Sequence, residues 1–265
     1  MGLARSSYYY QPEAPAEEDL TCRADLRDRI EAICAEFPRY GYRRVTAQLK
    51  REGRVVNHKR VARIMREEAL SVRSLKHFTV TTDSRHKLPV YPNRLCEAPL
   101  CGPDQVWQAD ITYIRIATGF VFLAVILDAW SRRVVGYALG RRIDTQLTLS
   151  ALEAAIAGRQ PPSGCIHHSD RGVQYAAKEY RDTLAAAGLV GSMSRRGNPY
   201  DNALAESFMK TLKHEEVYLN DYRTYQDVLD HVPQFIEAVY NTKRLHSALG
   251  YQSPIEFESH ARQAA

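Results

Sequence analysis

Val106-Trp-Gln-Ala-Asp-Ile-Thr-Tyr-Ile-Arg-Ile116, then Ala117-Thr118-Gly119, then Phe120-Val-Phe-Leu-Ala-Val-Ile-Leu-Asp128 is the stretch on which the fold of this 265-residue chain turns. In its first part Val106, Gln108, Asp110, Thr112 and Ile114 point one way, and Trp107, Ala109, Ile111, Tyr113 and Arg115 the other. That alternation predicts a strand with a single carboxylate, Asp110, in its middle. Thr118 and Gly119 turn the chain into a nearly unbroken apolar run, Phe120 to Leu127, which must be buried on both faces. Asp128 ends the run and Ser131 to Leu139 reads as a third strand. Strands joined by such tight turns are antiparallel neighbours.

Downstream the period changes. Leu147, Leu149, Leu152, Ala155 and Ile156 give a helix over Asp144 to Ala157, ended by Pro161, Pro162 and Gly164. Cys165 to Ser169 is a short strand with Asp170 at its carboxyl end, where open α/β sheets place their chemistry. Ala176 to Ala187 is a further helix and Leu189 to Met193 a fifth strand. The loop Ser194 to Tyr200, holding Arg195 and Arg196, leads into a helix over Asn202 to Lys213. Three antiparallel strands, helix, strand, helix, strand, helix is the ribonuclease H-like plan: an α/β fold with a five-stranded mixed sheet and flanking helices.

On the last of these helices, Asn202, Glu206, Lys210 and Lys213 fall within an arc of about 80°, opposite Leu204, Ala205, Phe208 and Leu212. Two readings stand: a solvated ion-pair ladder, or the front of a catalytic site. If the first and fourth strands are neighbours, Asp110, Asp170 and Glu206 converge, and three carboxylates need a compensating cation. Oxygen donors suit magnesium, which is completed by substrate phosphate and water; softer metals would want thiolate or imidazole. Two such ions could serve both the attacking and the leaving oxygen of an in-line displacement. Asp128 either joins this cluster or stabilises a turn, and His167 and His168 either support the site or pack their strand.

Upstream, the net charge of +5 is unevenly spread: Arg39 to Lys87 carries 14 Lys and Arg against 4 Asp and Glu, leaving the remainder at minus 5. A basic segment suits a polyanion, because each neutralised phosphate releases counterions. Residues 1–18, with Tyr8 to Tyr10 and then Pro12 and Pro15, read as an arm. Leu26, Ile30 and Ile33 mark a helix from Asp19 to Phe37. A second covers Tyr42 to Arg51 and is stopped by Gly53, and a third, capped by Asn57, covers His58 to about Ala69. These make a small all-α helix-turn-helix unit over 19–70, with Lys59, Arg60, Arg63 and Arg66 facing outward as DNA contacts; a structural bundle with a basic rim is the other reading. Residues 71–100, basic and proline-bearing, read as a linker, 101–220 as the catalytic core and 221–265 as a helical extension packed on it. Phe235, Ile236 and Val239 face that core, Pro233 bends or starts their helix, and Asn241, Arg244 and His246 could meet either DNA or the core. Five scattered cysteines without a C-x-x-C pair give neither a disulfide framework nor a zinc site. With no apolar run long enough to span a bilayer and no signal-peptide plan, a cytoplasmic protein is expected.

Several local phrases go further. Trp107-Gln-Ala-Asp-Ile-Thr112, His168-Ser-Asp-Arg-Gly-Val-Gln-Tyr175, Gly197-Asn-Pro-Tyr-Asp-Asn-Ala203 and Glu206-Ser-Phe208 resemble bacterial insertion-sequence transposases made from two overlapping frames, specifically the second-frame product. Tyr40-Gly-Tyr-Arg-Arg44, Val56-Asn-His-Lys-Arg-Val61 and Arg244-Leu-His-Ser-Ala-Leu-Gly-Tyr251 resemble the same family. The 35 residues between Asp170 and Glu206 match the D, D(35)E pattern that these enzymes share with retroviral integrases. The resemblance implies an integrase catalytic core with Asp110, Asp170 and Glu206 as catalytic metal ligands, and Mg2+, replaceable by Mn2+, as cofactor. It implies cleavage and strand transfer at terminal inverted repeats of double-stranded DNA, by an oligomer, with a first-frame partner or fusion. Arg43, Arg44, Arg171, Arg195, Arg196, Lys210 and Lys213 join the third helix as expected DNA contacts. The zinc module of retroviral integrases has no counterpart here. The different-class alternative is a DNA-binding regulator that occupies the ends without chemistry.

Overall fold

The computed structural model describes residues 17–72, 89–95, 100–195 and 199–264, and the chain divides between Arg73 and Ser74 into two compact units. In the first, α1 (Glu17–Glu36), α2 (Tyr42–Arg51) and α3 (His58–Glu67) form the expected three-helix module. Leu26, Ile30, Ile33, Val45, Leu49, Val61, Ile64 and Met65 are its core, each contributing about 1.5–3 kcal/mol by burial. Gly53 leaves α2 at φ 81°, a conformation that costs glycine little. The Asn57 side chain accepts the Lys59 N–H at 2.9 Å and so starts α3. Arg23 to Glu67 and Arg29 to Glu52 tie α1 to the other two helices.

The second unit is built on β1 (Val106–Ile116), β2 (Gly119–Asp128), β3 (Val134–Gly140), β4 (Ile166–Ser169) and β5 (Val190–Met193), ordered β3-β2-β1-β4-β5. β1, β2 and β3 run antiparallel, and β4 and β5 parallel to β1. The alternation read in β1 sorts its side chains between two cores. Trp107, Ala109 and Ile111 pack with Leu147, Leu152 and Ala155 of α4 (Thr145–Arg159), Tyr175 of α5 (Val173–Ala176) and Tyr180 and Leu184 of α6 (Lys178–Ala186). Ile114 and its β2 neighbours Leu123 and Val125 face Phe208 and Leu212 of α7 (Ala203–Leu212) and Val228 and Val232 of α8 (Tyr225–Gln234). At Gly136 of β3 an added Cβ would lie 2.6 Å from the Ala155 Cβ, so α4 approaches the sheet as closely as it does only because no side chain intervenes.

Several boundaries differ from expectation. The third strand begins at Val134, not Ser131, because the Asp128 carboxylate accepts the Ser131 N–H and hydroxyl, each at 2.8 Å, and holds that segment as a turn. The helix expected over 176–187 is two, broken at Ala177 by extended backbone (ψ 145°). Phe120 escapes the buried β2 run and is 51% exposed. Pro233 does not start its helix: it lies inside α8, which widens into a π-helix over Phe235–Asn241. Most of the expected linker and the amino-terminal arm fall outside the described residues. Tyr91 packs on the core of the second unit at Gly191, and the Arg94 N–H reaches the Ser192 hydroxyl at 2.9 Å, so the 89–95 stretch lies against β5.

The carboxyl-terminal segment is fastened to the sheet by polar side chains. Asn241, fully buried, spans the backbone of Val134, accepting its N–H at 2.9 Å and donating to its C=O at 3.0 Å. Glu258 of α9 (Pro254–Ala264) meets Arg159, Arg133 and Ser131 beneath the Asp128 turn. Asn241, Arg244 and His246 are all buried, and Arg244 forks onto Glu215 at 2.6 and 2.7 Å. Of their two expected partners, the core is the one they meet.

Candidate active site

Asp110 sits opposite Val125 in mid-β1, on the face that carries α7. β4 pairs with β1 only as far as Gln108 and His168. Past that point the edge of β1 is open, and the chain leaving β4 delivers Asp170 to it. The Asp110 carboxyl is pushed up to about 8, first by burial and then by the Asp170 carboxylate. Its bond from the Ile111 N–H opposes that rise, Glu206 adds repulsion and Lys213 relieves some of it. Asp170 accepts the Gly172 N–H at 2.9 Å, and Gly172 has little room for a Cβ, which would stand 3.0 Å from that carboxylate.

Glu206 lies in the first turn of α7, exposed at the surface, with its carboxyl raised by burial on one side. Among the described residues no three carboxylate, imidazole or thiol groups are gathered closely enough to hold an ion. Asp110, Asp170 and Glu206 share an electrostatic neighbourhood without meeting at one point.

The ladder reading of α7 does not describe this surface. Among the described residues the ion pairs include none between Glu206 and Lys210 or Lys213. Lys210 is exposed, while Lys213 sets its ammonium 4.7 Å from the centre of the Tyr113 ring. Arg195 is committed to Asp201 through its N–H at 2.9 Å and its guanidinium at 3.0 Å, and that bonding draws Asp201 down to about 2. Arg171 donates to the Ser194 carbonyl at 2.8 Å, and Arg196 lies outside the described residues. These arginines fasten the loop ahead of α7. In the first unit Lys59, Arg60, Arg63 and Arg66 are exposed along α3 as expected, while Arg43 and Arg44 lie over the rings of Tyr42 and Tyr40.

His167 and His168 are packing residues. Nε2 of His167 meets the Tyr180 hydroxyl at 3.0 Å, and His168 bridges the Ser192 and Ser194 hydroxyls at 2.8 and 3.0 Å. Burial lowers them to about 3 and about 4, so both are neutral. Asp128 belongs to the turn and not to the acidic pair. Cys165 is buried and its thiol pushed up to about 12, which leaves it inert.

Two residues of the site had no role in the sequence reading. Asn202 donates to the Ala109 carbonyl at 3.3 Å, tying the start of α7 to the strand beside Asp110. Its amide oxygen is buried without a partner among the described residues. Tyr113, on the opposite face of β1 from Asp110, meets Lys213 at the open strand edge. Position on the α7 front hinted at Asn202; nothing local marks Tyr113.

Comparison with known proteins bears on this arrangement. Models described as "Integrase core domain" match residues 102–199 and 188–254, and one described as "HTH-like domain" matches residues 22–78. An uncharacterised 31 kDa protein of insertion element IS600 from Shigella sonnei is 39% identical, covering 100% of this chain and 98% of its own. Transposase InsF of insertion sequence IS3A from Escherichia coli K12 is 38% identical over 97% of this chain and 91% of its own. The chain belongs to the insertion-sequence transposases. The first integrase-core match in this transposase contains Asp110 and Asp170, and the second contains Glu206. A chain in the simian T-cell lymphotropic virus intasome with PP2A regulatory subunit B56 gamma superposes with a TM-score of 0.50 at 18% identity, over 87% of the transposase and 74% of itself. At that identity the likeness is one of fold.

Proposed function

We propose that this transposase cleaves and joins DNA strands at the ends of its insertion sequence with Asp110, Asp170 and Glu206 as its catalytic carboxylates. The observation that carries the reading is the half-buried Asp110 beside Asp170 where β1 outruns β4, a place at which the two acids repel. The donor set fits a hard divalent cation, which needs only one or two carboxylates when phosphate and water supply the rest. Mg2+, or Mn2+ in its place, would be held by Asp110 and Asp170, with Glu206 completing the site and two ions expected. Bound there, the metal supplies charge neutralisation and lowers the pKa of an attacking hydroxyl.

The chain's own side chains do the rest. Asp110 and Asp170 fix the reacting phosphate at the β1 edge, and Glu206 faces the same neighbourhood from the first turn of α7. Lys210 and Lys213, unpaired with Glu206, take phosphates flanking the scissile one. The outward cations of α3 engage the terminal repeat. Arg171 and Arg195 act indirectly by holding the loop before α7. Water attack frees a 3′-hydroxyl, which then attacks a second phosphodiester, with no covalent protein intermediate. Two ends have to be held together, so an oligomer on DNA is expected, with a first-frame partner or fusion as a further requirement.

Strand joining on labelled inverted-repeat DNA, with Mg2+ or Mn2+ and with or without the first-frame product, tests the reading. Asp110→Asn, Asp170→Asn and Glu206→Gln should each keep DNA binding and lose joining by about a thousandfold or more. Normal joining by any of the three would refute the assignment. Binding without joining in the unaltered chain, with every partner present, would leave a regulator.

A further inference from the structure

At the β1–β2 hairpin tip, an open cavity of about 350 Å³ is lined by Phe120, Phe122, Arg141 and Tyr225. Its composition is unusual for a surface with no partner. Phe120, which the sequence places in a buried run, is 51% exposed. The Arg141 guanidinium lies 4.4 Å from the centre of the Tyr225 ring, whose hydroxyl is fixed on the Leu139 carbonyl at 3.2 Å. Arg141 is exposed, and neither an ion pair nor a hydrogen bond engages it among the described residues. Its donors are free while its plane is held. Arg142 and Arg115 are exposed close by in sequence, on β3's exit and on β1. A chain of side-chain contacts leads from the cavity toward the catalytic helix: Phe120 stands edge-on to Tyr113 at 5.2 Å, and Tyr113 carries Lys213 over its ring.

We propose that this cavity is a second nucleic-acid site, taking an unpaired nucleotide of the DNA substrate with its base on Phe120 and its phosphate on Arg141. An exposed ring offers a stacking face to any base, and an oriented guanidinium presents forked donors that match a phosphate. One cation, Arg141, lines the cavity with its donors uncommitted, and Arg142 and Arg115 are exposed nearby in sequence, which favours an anionic strand over an apolar protein partner. The proposal adds a binding surface to the transposase reading, and its test uses no catalysis.

The probe is a thymine oligonucleotide of about six nucleotides, within the range of single-strand sites, carrying one 5-iododeoxyuridine. It is bound by the full chain bearing Glu206→Gln, without metal. Irradiation should cross-link Phe120, as located by peptide mass spectrometry. Phe120→Ala should weaken binding by about fivefold to a hundredfold, the usual range for one lost stack, while Phe120→Tyr restores it. Arg141→Gln should lower the salt slope by about one. Unchanged melting of each variant keeps the comparison meaningful. Cross-links confined to the first unit, with unaltered affinity in both Phe120→Ala and Arg141→Gln, would overturn the proposal. So would sedimentation showing that these substitutions abolish self-association and leave oligonucleotide binding intact, since the face would then belong to a second copy. A failure of strand joining would not bear on either result.

Discussion

Three aspartates, two in strands and one in the 3-10 turn before α7, show how far one residue type diverges with its surroundings. Asp128 is satisfied by the Ser131 and Asp104 N–H groups and stabilises a turn. Asp201 is paired and strongly acidic, whereas Asp110 is half-buried beside a like charge that Lys213 offsets only in part. Only the last has unspent electrostatic capacity, and only there does a metal have something to offset. At the same scale Gly136 is a sharp test of packing. Gly136→Ala drives a methyl into the backbone and side chains of α4, and overpacking of this kind costs about 1–3 kcal/mol. Urea denaturation of the variant should show that loss, and an unchanged midpoint would mean that α4 can withdraw from β3. Asp110 could be read from the sequence because alternation placed one carboxylate in mid-strand. The bond between Asn241 and Val134 could not, since its partners are 107 residues apart and neither has a local signature.

Elements were legible where period and punctuation agree. α3 announces itself through Asn57 and the spacing of Val61, Ile64 and Met65, and β1 through its alternation. The onset of β3 was missed because a side chain, Asp128, takes over hydrogen bonds that a strand would have claimed, and the break at Ala177 has no proline or glycine to mark it. β4 is legible as a short strand, its burial is not, and its two buried histidines give it a pH dependence. His167 is held neutral by burial, with a pKa of about 3 in the folded chain against about 6.5 unfolded. The depressed value means that the unfolded chain binds the extra proton, so stability falls as pH drops from about 6.5 toward 3. Each such histidine contributes a slope of up to about 1.4 kcal/mol per pH unit in that window. His167→Gln should flatten the acid limb of stability against pH by about one proton's worth, whatever its effect at neutral pH. An unaltered slope would place the proton uptake elsewhere.

At the scale of the whole molecule, the carboxyl-terminal segment belongs to the second unit's structure and is more than an appendage. Glu258 is buried, which raises its carboxyl, yet hydrogen bonds from Arg159, Ser131 and Arg133 outweigh that and hold it low. Glu258→Ala strands Arg159 with Asp104 alone and should cost about 3–5 kcal/mol, the usual penalty for breaking a buried pair from one side. Trp130, which packs on Phe257 of the same helix at 4.6 Å, offers a fluorescence signal. Its emission should shift red in the variant at lower urea than in the parent, and coincident curves would show that α9 is not held by this cluster. The order of the elements was recoverable from local pattern, but this latch was not, because it joins side chains from four separate parts of the chain. The tether between Asn202 and Ala109 also acts at this scale. With Asp201 pinned to Arg195 as well, α7 is anchored just ahead of its first turn, and Phe208 and Leu212 fix the rest of it on the sheet. Glu206 lies about 6 Å along the helix from Asn202 and Lys213 about 16 Å, so the two are carried on one fixed rod about 10 Å apart along its axis. The helix thus works as a ruler: a strand that meets both side chains has to match that interval, because the spacing is set by the fold before any DNA arrives.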